Sequence, residues 1–334
     1  MEKFRVLSDI HLDINESYPL TFDDDIFTVI CGDTSGYPKM TIDWIRKNIK
    51  NGVGISGNHL PYNDDELPIQ KLREKLARAF PATKDFTYLD CETKVFSKEV
   101  DGILFIGTCM YTDMSVKHEI WNPTGDRAFN MKCSMSHMND YHWGIKAREK
   151  KPNFVGEMVD TFTHITANDY FEWFKNAYNK IEKVLNENEA LENPKPVVLL
   201  THHPLIIDFL KHSTYVENAD HLYSAREFNW SSYGSDMKQW LLRHTSIKCY
   251  CCGHVHAVEK EYRNFKIERE DGSKILVVNN TRGYVGRGHD YFFNKNTFVN
   301  TKTWEVETEP LSEEEQKARD EREKHMFRHM ACFI

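Results

Sequence analysis

The sequence has no excess of basic residues, no long apolar run and no regular spacing of cysteines. Each absence removes a class of protein. Its 334 residues carry 43 Lys and Arg against 51 Asp and Glu, a formal charge of −8. Holding long nucleic acid without sequence preference requires a basic surface to displace the counterions of the phosphates, so this balance argues against that partner. No stretch approaches the ~18 apolar residues a membrane span requires. The opening MEKFRVLSDIHLD turns charged at Asp9 and lacks the apolar core of a signal peptide. Eight irregularly spaced cysteines in a chain this large do not form a disulfide framework. The expectation is a reduced, cytoplasmic protein with no membrane partner. Its 40% hydrophobic content, including 13% aromatics, suffices for a sizeable core.

What is present is a recurring short run of apolar, β-branched residues, at 4–8, 25–32, 52–57, 102–109, 196–202, 247–253 and 275–280. Between several of these lie segments with apolar residues at threes and fours, over 40–49, 67–80, 166–185 and 235–244. Thr166, three before Asp169, gives the third a capping-box start. Strands alternating with helices predict an α/β domain, and near-continuous apolar runs predict strands covered on both faces. Two stretches depart from the pattern. Residues 110–165 are rich in Met, His, Trp and Asn without sustained periodicity, and read as an ordered but irregular, lid-like insertion. Residues 311–334 read as a charged helical tail, which leaves 1–310 as the domain.

Five of the apolar runs end in residues that bind metals: Asp9 and His11, Asp33, Asn58 and His59, His202 and His203, His254 and His256. Ligands of open α/β sheets bind beyond the carboxyl ends of the strands, so five such ends predict one convergent site. Residues two apart in an extended chain point to the same side, which would aim Asp9 with His11 and His254 with His256 into one cavity. Glycines at 32, 57 and 253 are expected to let the backbone turn beneath it. The stretch CYCCGHVHA (249–257) also holds Cys249 and Cys252 at the spacing of a zinc knuckle. Three residues apart in a strand, they face opposite ways, and no second pair accompanies them. They read as small buried hydrophobes, and the two histidines as the functional part.

The series Asp9-x-His11, Gly32-Asp33, Gly57-Asn58-His59, His202 and Gly253-His254-x-His256 resembles the calcineurin-like metallophosphoesterase superfamily, with all five blocks in order. GILFIGTCMYTD (102–113), Asn139-Asp140-Tyr141, THHPL (201–205), Ser235-Asp236-Met237 and Thr281-Arg282-Gly283-Tyr284 look like its small bacterial and phage subgroup. The resemblance implies a four-layer α/β/β/α sandwich with two divalent metal ions at the strand ends. One ion would take Asp9, His11 and His256, the other Asn58, His202 and His254, with Asp33 between them. Imidazole with carboxylate suits Mn, Fe, Zn or Ni. The implied activity is dinuclear metal-dependent phosphoester hydrolysis, in which a metal-bridging hydroxide attacks phosphorus. His59 matches the histidine that faces the leaving oxygen.

The chain departs from the family at Gly36, where a second Asp usually stands to orient that histidine, and at Leu60, which replaces an acidic residue. Asp13 is one carboxylate His59 could borrow. His203 is expected behind the metals. It joins Asp140, Tyr141 and Arg282 as a candidate for the substrate pocket. Histidines 118, 137, 142 and 164 read as solvated surface. The favoured substrate is a small phosphodiester or nucleotide. The alternatives are a nuclease, a phosphomonoesterase, or a non-catalytic scaffold that keeps the fold.

Overall fold

The structure, a computed structural model, describes residues 1–62, 68–118, 122–144, 146–152, 154–213 and 230–321. Each of the seven apolar runs contains a strand. Among the described residues they belong to two mixed sheets of six strands each. In the first sheet β1 (Lys3–Leu7), β2 (Thr28–Cys31), β3 (Gly52–Ile55) and β4 (Phe86–Tyr88) run parallel. On the far side of β1, β13 (Thr297–Asn300) and β14 (Glu305–Thr308) add antiparallel. In the second sheet β6 (Ile103–Thr108), β9 (Val197–Thr201), β10 (Ile247–Cys252) and β12 (Lys274–Asn279) are the parallel centre. Its antiparallel edges are β5 (Ser97–Val100) and β11 (Asn264–Glu268).

Successive strand residues face opposite ways, and this alternation sorts the core into layers. In β2, Val29 and Cys31 pack between the sheets beside Val198, Leu200, Cys249 and Cys251. Ile30, between them, turns outward against Ile42 and Ile45 of α1 (Pro38–Asn48) and Leu72 and Leu76 of α2 (Ile69–Ala79). In β9, Val197 and Leu199 turn the other way, onto Phe174, Ile181 and Leu185 of α4 (Ala167–Glu189). The result is helix, sheet, sheet, helix. Thr166 starts α4 as its spacing predicts, its backbone N–H donating to the Asp169 carboxylate at 2.7 Å. The C-x-x-C spacing also resolves as expected. Cys249 lies between the sheets and Cys252 on the α4 side.

The expectation of an irregular segment at 110–165 is corrected. It holds α3 (Arg127–His137), a π-helical turn (Asp140–Gly144) and a hairpin of β7 (Lys146–Pro152) with β8 (Met158–His164). The buried residues of α3 are the polar Asn130 and Ser134, so counting apolar residues finds no helical period there. Asp126 caps it, accepting the Phe129 N–H at 3.0 Å.

In the tail, residues 313–321 are helical, and the expected helix beyond them falls on 322–334, outside the described residues. Ser312 and Glu315 form a capping box there, with N–H donations to each other's side chains at 3.1 and 3.2 Å. Glu315 also pairs with Lys295 at 2.5 Å, so this helix is docked on the domain. No helix among the described residues is long and apolar enough to cross a membrane.

Candidate metal centre

Strands β1, β2 and β3 end level, with Leu7 opposite Ile30 and Cys31 opposite Ile55. Strands β9 and β10 end together across the sandwich, with Leu200 opposite Cys251. The loops that leave these five ends carry Asp9, His11, Asp33, Asn58 and His59 from the first sheet, and His202, His254 and His256 from the second. The site therefore forms only where two sheets meet.

The local backbone differs from the extended pairs the sequence suggests. Asp9, His11, Asp33 and His254 all have left-handed backbones, with φ of 53°, 47°, 45° and 67°. Such conformations cost on the order of 1–3 kcal/mol each in residues other than glycine and cluster at functional sites. Gly32 turns as expected, at φ 99°, whereas Gly57 and Gly253 serve close approach. A Cβ on Gly57 would lie 2.0 Å from Asp33 Oδ1, and one on Gly253 2.1 Å from Ser8 Oγ.

Two groups of ligand-type atoms converge, Asp9 with His11 and His256, and Asp33 with His202 and His254. Asp33 also groups with His11 and His59, which puts its carboxylate between them. His256 Nε2 lies 2.9 Å from Asp9 Oδ1 and 3.2 Å from His11 Nε2. His202 Nε2 lies 3.2 Å from Asp33 Oδ2 and 3.0 Å from Asn58 Oδ1. His254 Nε2 is buried without a hydrogen-bond partner.

Burial and the charges of neighbouring imidazoles hold His11 and His254 well below the ordinary histidine range, which keeps their nitrogen lone pairs available. Burial alone would raise Asp9 and Asp33, but the charge of His202 together with the hydrogen bonds and charges of His256 at Asp9 and of His59 at Asp33 outweighs it, and both stay below the usual carboxylate range. Burial would lower His202, yet Asp33 and Asp9 raise it to about 9. The neutral imidazoles of His11 and His254 beside ionised carboxylates suit a divalent first-row metal, which would displace the proton that Asp33 and Asp9 hold on His202. The buried, unpartnered His254 Nε2 fits that use.

His59 stands at the cavity wall, its side chain 16% exposed, with Nε2 4.0 Å from Asp33 Oδ2 and 3.5 Å from the Tyr284 hydroxyl. Its ring stacks on Tyr62 at 4.2 Å between centroids. Asp13, which the sequence offers as its partner, accepts the Gly36 N–H at 3.1 Å.

The four pocket candidates separate. Asp140 lines the cavity, and both its oxygens accept from the Asn58 amide nitrogen, at 3.1 and 3.2 Å. Tyr141 does not line it. Its hydroxyl accepts from Ser134 Oγ at 3.1 Å within the core. Arg282 lines a different cleft, beside the tail helix, and donates to the Tyr18 carbonyl at 2.5 Å. His203 lies fully buried behind His202 and His254, where burial pushes it down to about 3, with Nδ1 3.9 Å from Cys109 Sγ.

The cavity itself measures about 150 Å³ and adds residues that motif reading passes over. Tyr62, Trp230, Tyr233 and Tyr284 wall it, and His137, expected as solvated surface, lines it too. Tyr284 lies in the Thr281–Tyr284 stretch, so a signal for it existed. Tyr62 and Trp230 follow no strand-end pattern. His289 Nδ1 stands 3.2 Å from His256 Nδ1, behind the ligand atoms.

Neither family models nor curated proteins yield a match to this chain. Among solved structures it is similar to the crystal structure of phosphopantetheinyl hydrolase (PptH) from Mycobacterium tuberculosis. The TM-score is 0.54 at 15% sequence identity, over 84% of this chain and 89% of that one. The likeness is one of fold.

Proposed function

We propose that this protein is a dinuclear metal-dependent phosphoester hydrolase acting on a small phosphodiester or nucleotide in the cytoplasm. One observation carries the reading: two Nε2 atoms from opposite sheets, His11 and His256, face each other at 3.2 Å beside the Asp9 carboxylate. With that carboxylate they form a set of three ligand-type atoms facing one point, which a cation can occupy. The likeness to a structure named as a hydrolase supports the same reading.

Asp9, His11 and His256 would hold one ion and Asn58, His202 and His254 the other, with Asp33 shared; manganese, iron, zinc and nickel all suit the set. Divalent ions there would supply charge neutralisation and an acidified water at neutral pH. The chain's own residues supply the rest. His59, at the wall, is in position to give a proton to a departing oxygen. Tyr62, Trp230, Tyr233 and Tyr284 offer flat apolar surface to a base or aryl group. No Lys or Arg lines the cavity among the described residues, which favours a singly charged diester over a doubly charged monoester.

The test is elemental analysis of the purified protein, followed by a substrate screen with Mn²⁺. The substrates are aryl phosphodiesters, aryl phosphomonoesters, cyclic nucleotides, dinucleotides and single-stranded DNA. Two ions per chain with diester turnover is the expected result. Metal-free protein without turnover would mark a scaffold, and faster cleavage of monoesters or of DNA would change the substrate class.

A further inference from the structure

Asp140 lies in the π-helical turn of the segment between β6 and α4, 82 residues beyond Asn58, and is 1% exposed. A buried carboxylate is costly unless its oxygens are hydrogen-bonded. Among the described residues every hydrogen-bond donor to it is neutral: the Asn58 amide and the hydroxyls of Tyr62 and Tyr170. These come from two separate stretches, the loop after β3, which carries both Asn58 and Tyr62, and the first turn of α4.

What a carboxylate provides at this place is acceptance alone. Asn58 can turn only its NH₂ toward Asp140, so its oxygen must point the other way, to 3.0 Å from His202 Nε2 and into the candidate metal centre. An amide turned by 180° would aim donor hydrogens where a metal needs a lone pair. Tyr62 extends the same arrangement, because its ring stacks on His59. From this geometry we infer that Asp140 is a positioning residue for the metal centre: it fixes which face of the Asn58 amide meets the ion, and Tyr62 and Tyr170 hold it in place. The inference rests on the metal-dependent reading above. It also gives the segment between β6 and α4 a part in that site.

The experiment is a Co²⁺ titration of chelator-stripped protein, followed by visible absorption, on wild type, Asp140→Asn and the exchanged pair Asn58→Asp/Asp140→Asn. Metal-free thermal unfolding of each is measured alongside. Asp140→Asn should weaken one of the two ions by about 10–100-fold, the range for removing the partner of a metal ligand. The exchanged pair puts acceptor-only oxygens at 58 and a donor at 140, and should recover most of that loss. Unchanged affinity in Asp140→Asn, or an exchanged pair no better than the single variant, would leave Asp140 a packing role and overturn the inference. If Asp140→Asn fails to fold, Tyr170→Phe, which removes one clamp, should still weaken the same ion, and unchanged affinity there overturns it equally. Wild type that takes up no Co²⁺ would instead sink the metal-dependent reading itself.

Discussion

His11 and His256 stand 245 positions apart in the chain and in loops from different sheets, yet their Nε2 atoms come within 3.2 Å. Asp9 Oδ1 lies 2.9 Å from one and 3.8 Å from the other. Nothing in the folding of either sheet alone requires this contact. It exists because the ends of β1 and β10 are brought edge to edge when the sheets pack through Cys31, Cys249 and Cys251.

Asp33 groups with His202 and His254 and also with His11 and His59. One oxygen accepts the His59 N–H at 2.9 Å and the other faces His202 at 3.2 Å. Asp33→Asn would keep one acceptor but set an NH₂ where the proposed cation would sit. Metal content should fall at both positions and turnover should collapse, as elemental analysis and an aryl phosphodiester assay would read. Two ions per chain with a near-normal rate would rule out a shared carboxylate.

His59 contacts Tyr62, Tyr284 and Asp33, and is assigned to neither ion. His59→Ala should therefore leave bound metal intact while kcat falls by about 10²–10⁴-fold, the usual contribution of a positioned proton donor. The loss should shrink as the pKa of the leaving group falls. An equal loss across a series of aryl leaving groups would remove the proton-donor role.

The stretch CYCCGHVHA separates into two classes of residue with opposite expected behaviour. Cys249→Ala or Cys252→Val should shift stability by about 1 kcal/mol, an ordinary core effect, with metal unchanged. His254→Ala or His256→Ala should lose metal and activity while the fold persists, because the apolar layers and not the ions form the core. Metal quantification on the four purified variants decides it. Loss of metal from the cysteine variants would make this a thiolate site.

Acid sensitivity should arise partly far from the site, at the C-terminal end of α4. There Glu189 accepts the Ser246 N–H at 2.9 Å and its hydroxyl at 2.8 Å, and lies 3.1 Å from His244 Nδ1. Burial would raise its carboxyl, but these hydrogen bonds outweigh it and hold the group below the ordinary glutamate range. A depressed folded pKa means the stabilisation is complete above about pH 5, where the unfolded carboxyl is ionised, and is lost as pH falls through the folded value. Glu189→Gln should lower stability at neutral pH and flatten its decline below about pH 5. Parallel pH–stability curves for the two proteins would contradict this.

The sequence by itself determined the parallel centre of both sheets and the ligand-type residues at their ends. Strands covered on both faces must be largely apolar, as β2, β9 and β10 are, and a chain that reaches a sheet's carboxyl edge exposes its next polar residues there. The edge strands escaped because one face meets water: SKEV, NFKIE and EVET carry charge at every second place or so and are too short for alternation to register. α3 escaped because it buries amide and hydroxyl groups. Three things were left to tertiary structure. It decided that Asp9, His11, Asp33 and His254 take left-handed backbones instead of extended ones. It decided that Arg282 belongs to another cleft, and that Asp140, Tyr62 and Tyr170 close around the Asn58 amide. Each depends on which surfaces meet when two sheets and an inserted segment pack together. Local pattern carries no information about that, because the partners lie tens to hundreds of residues apart.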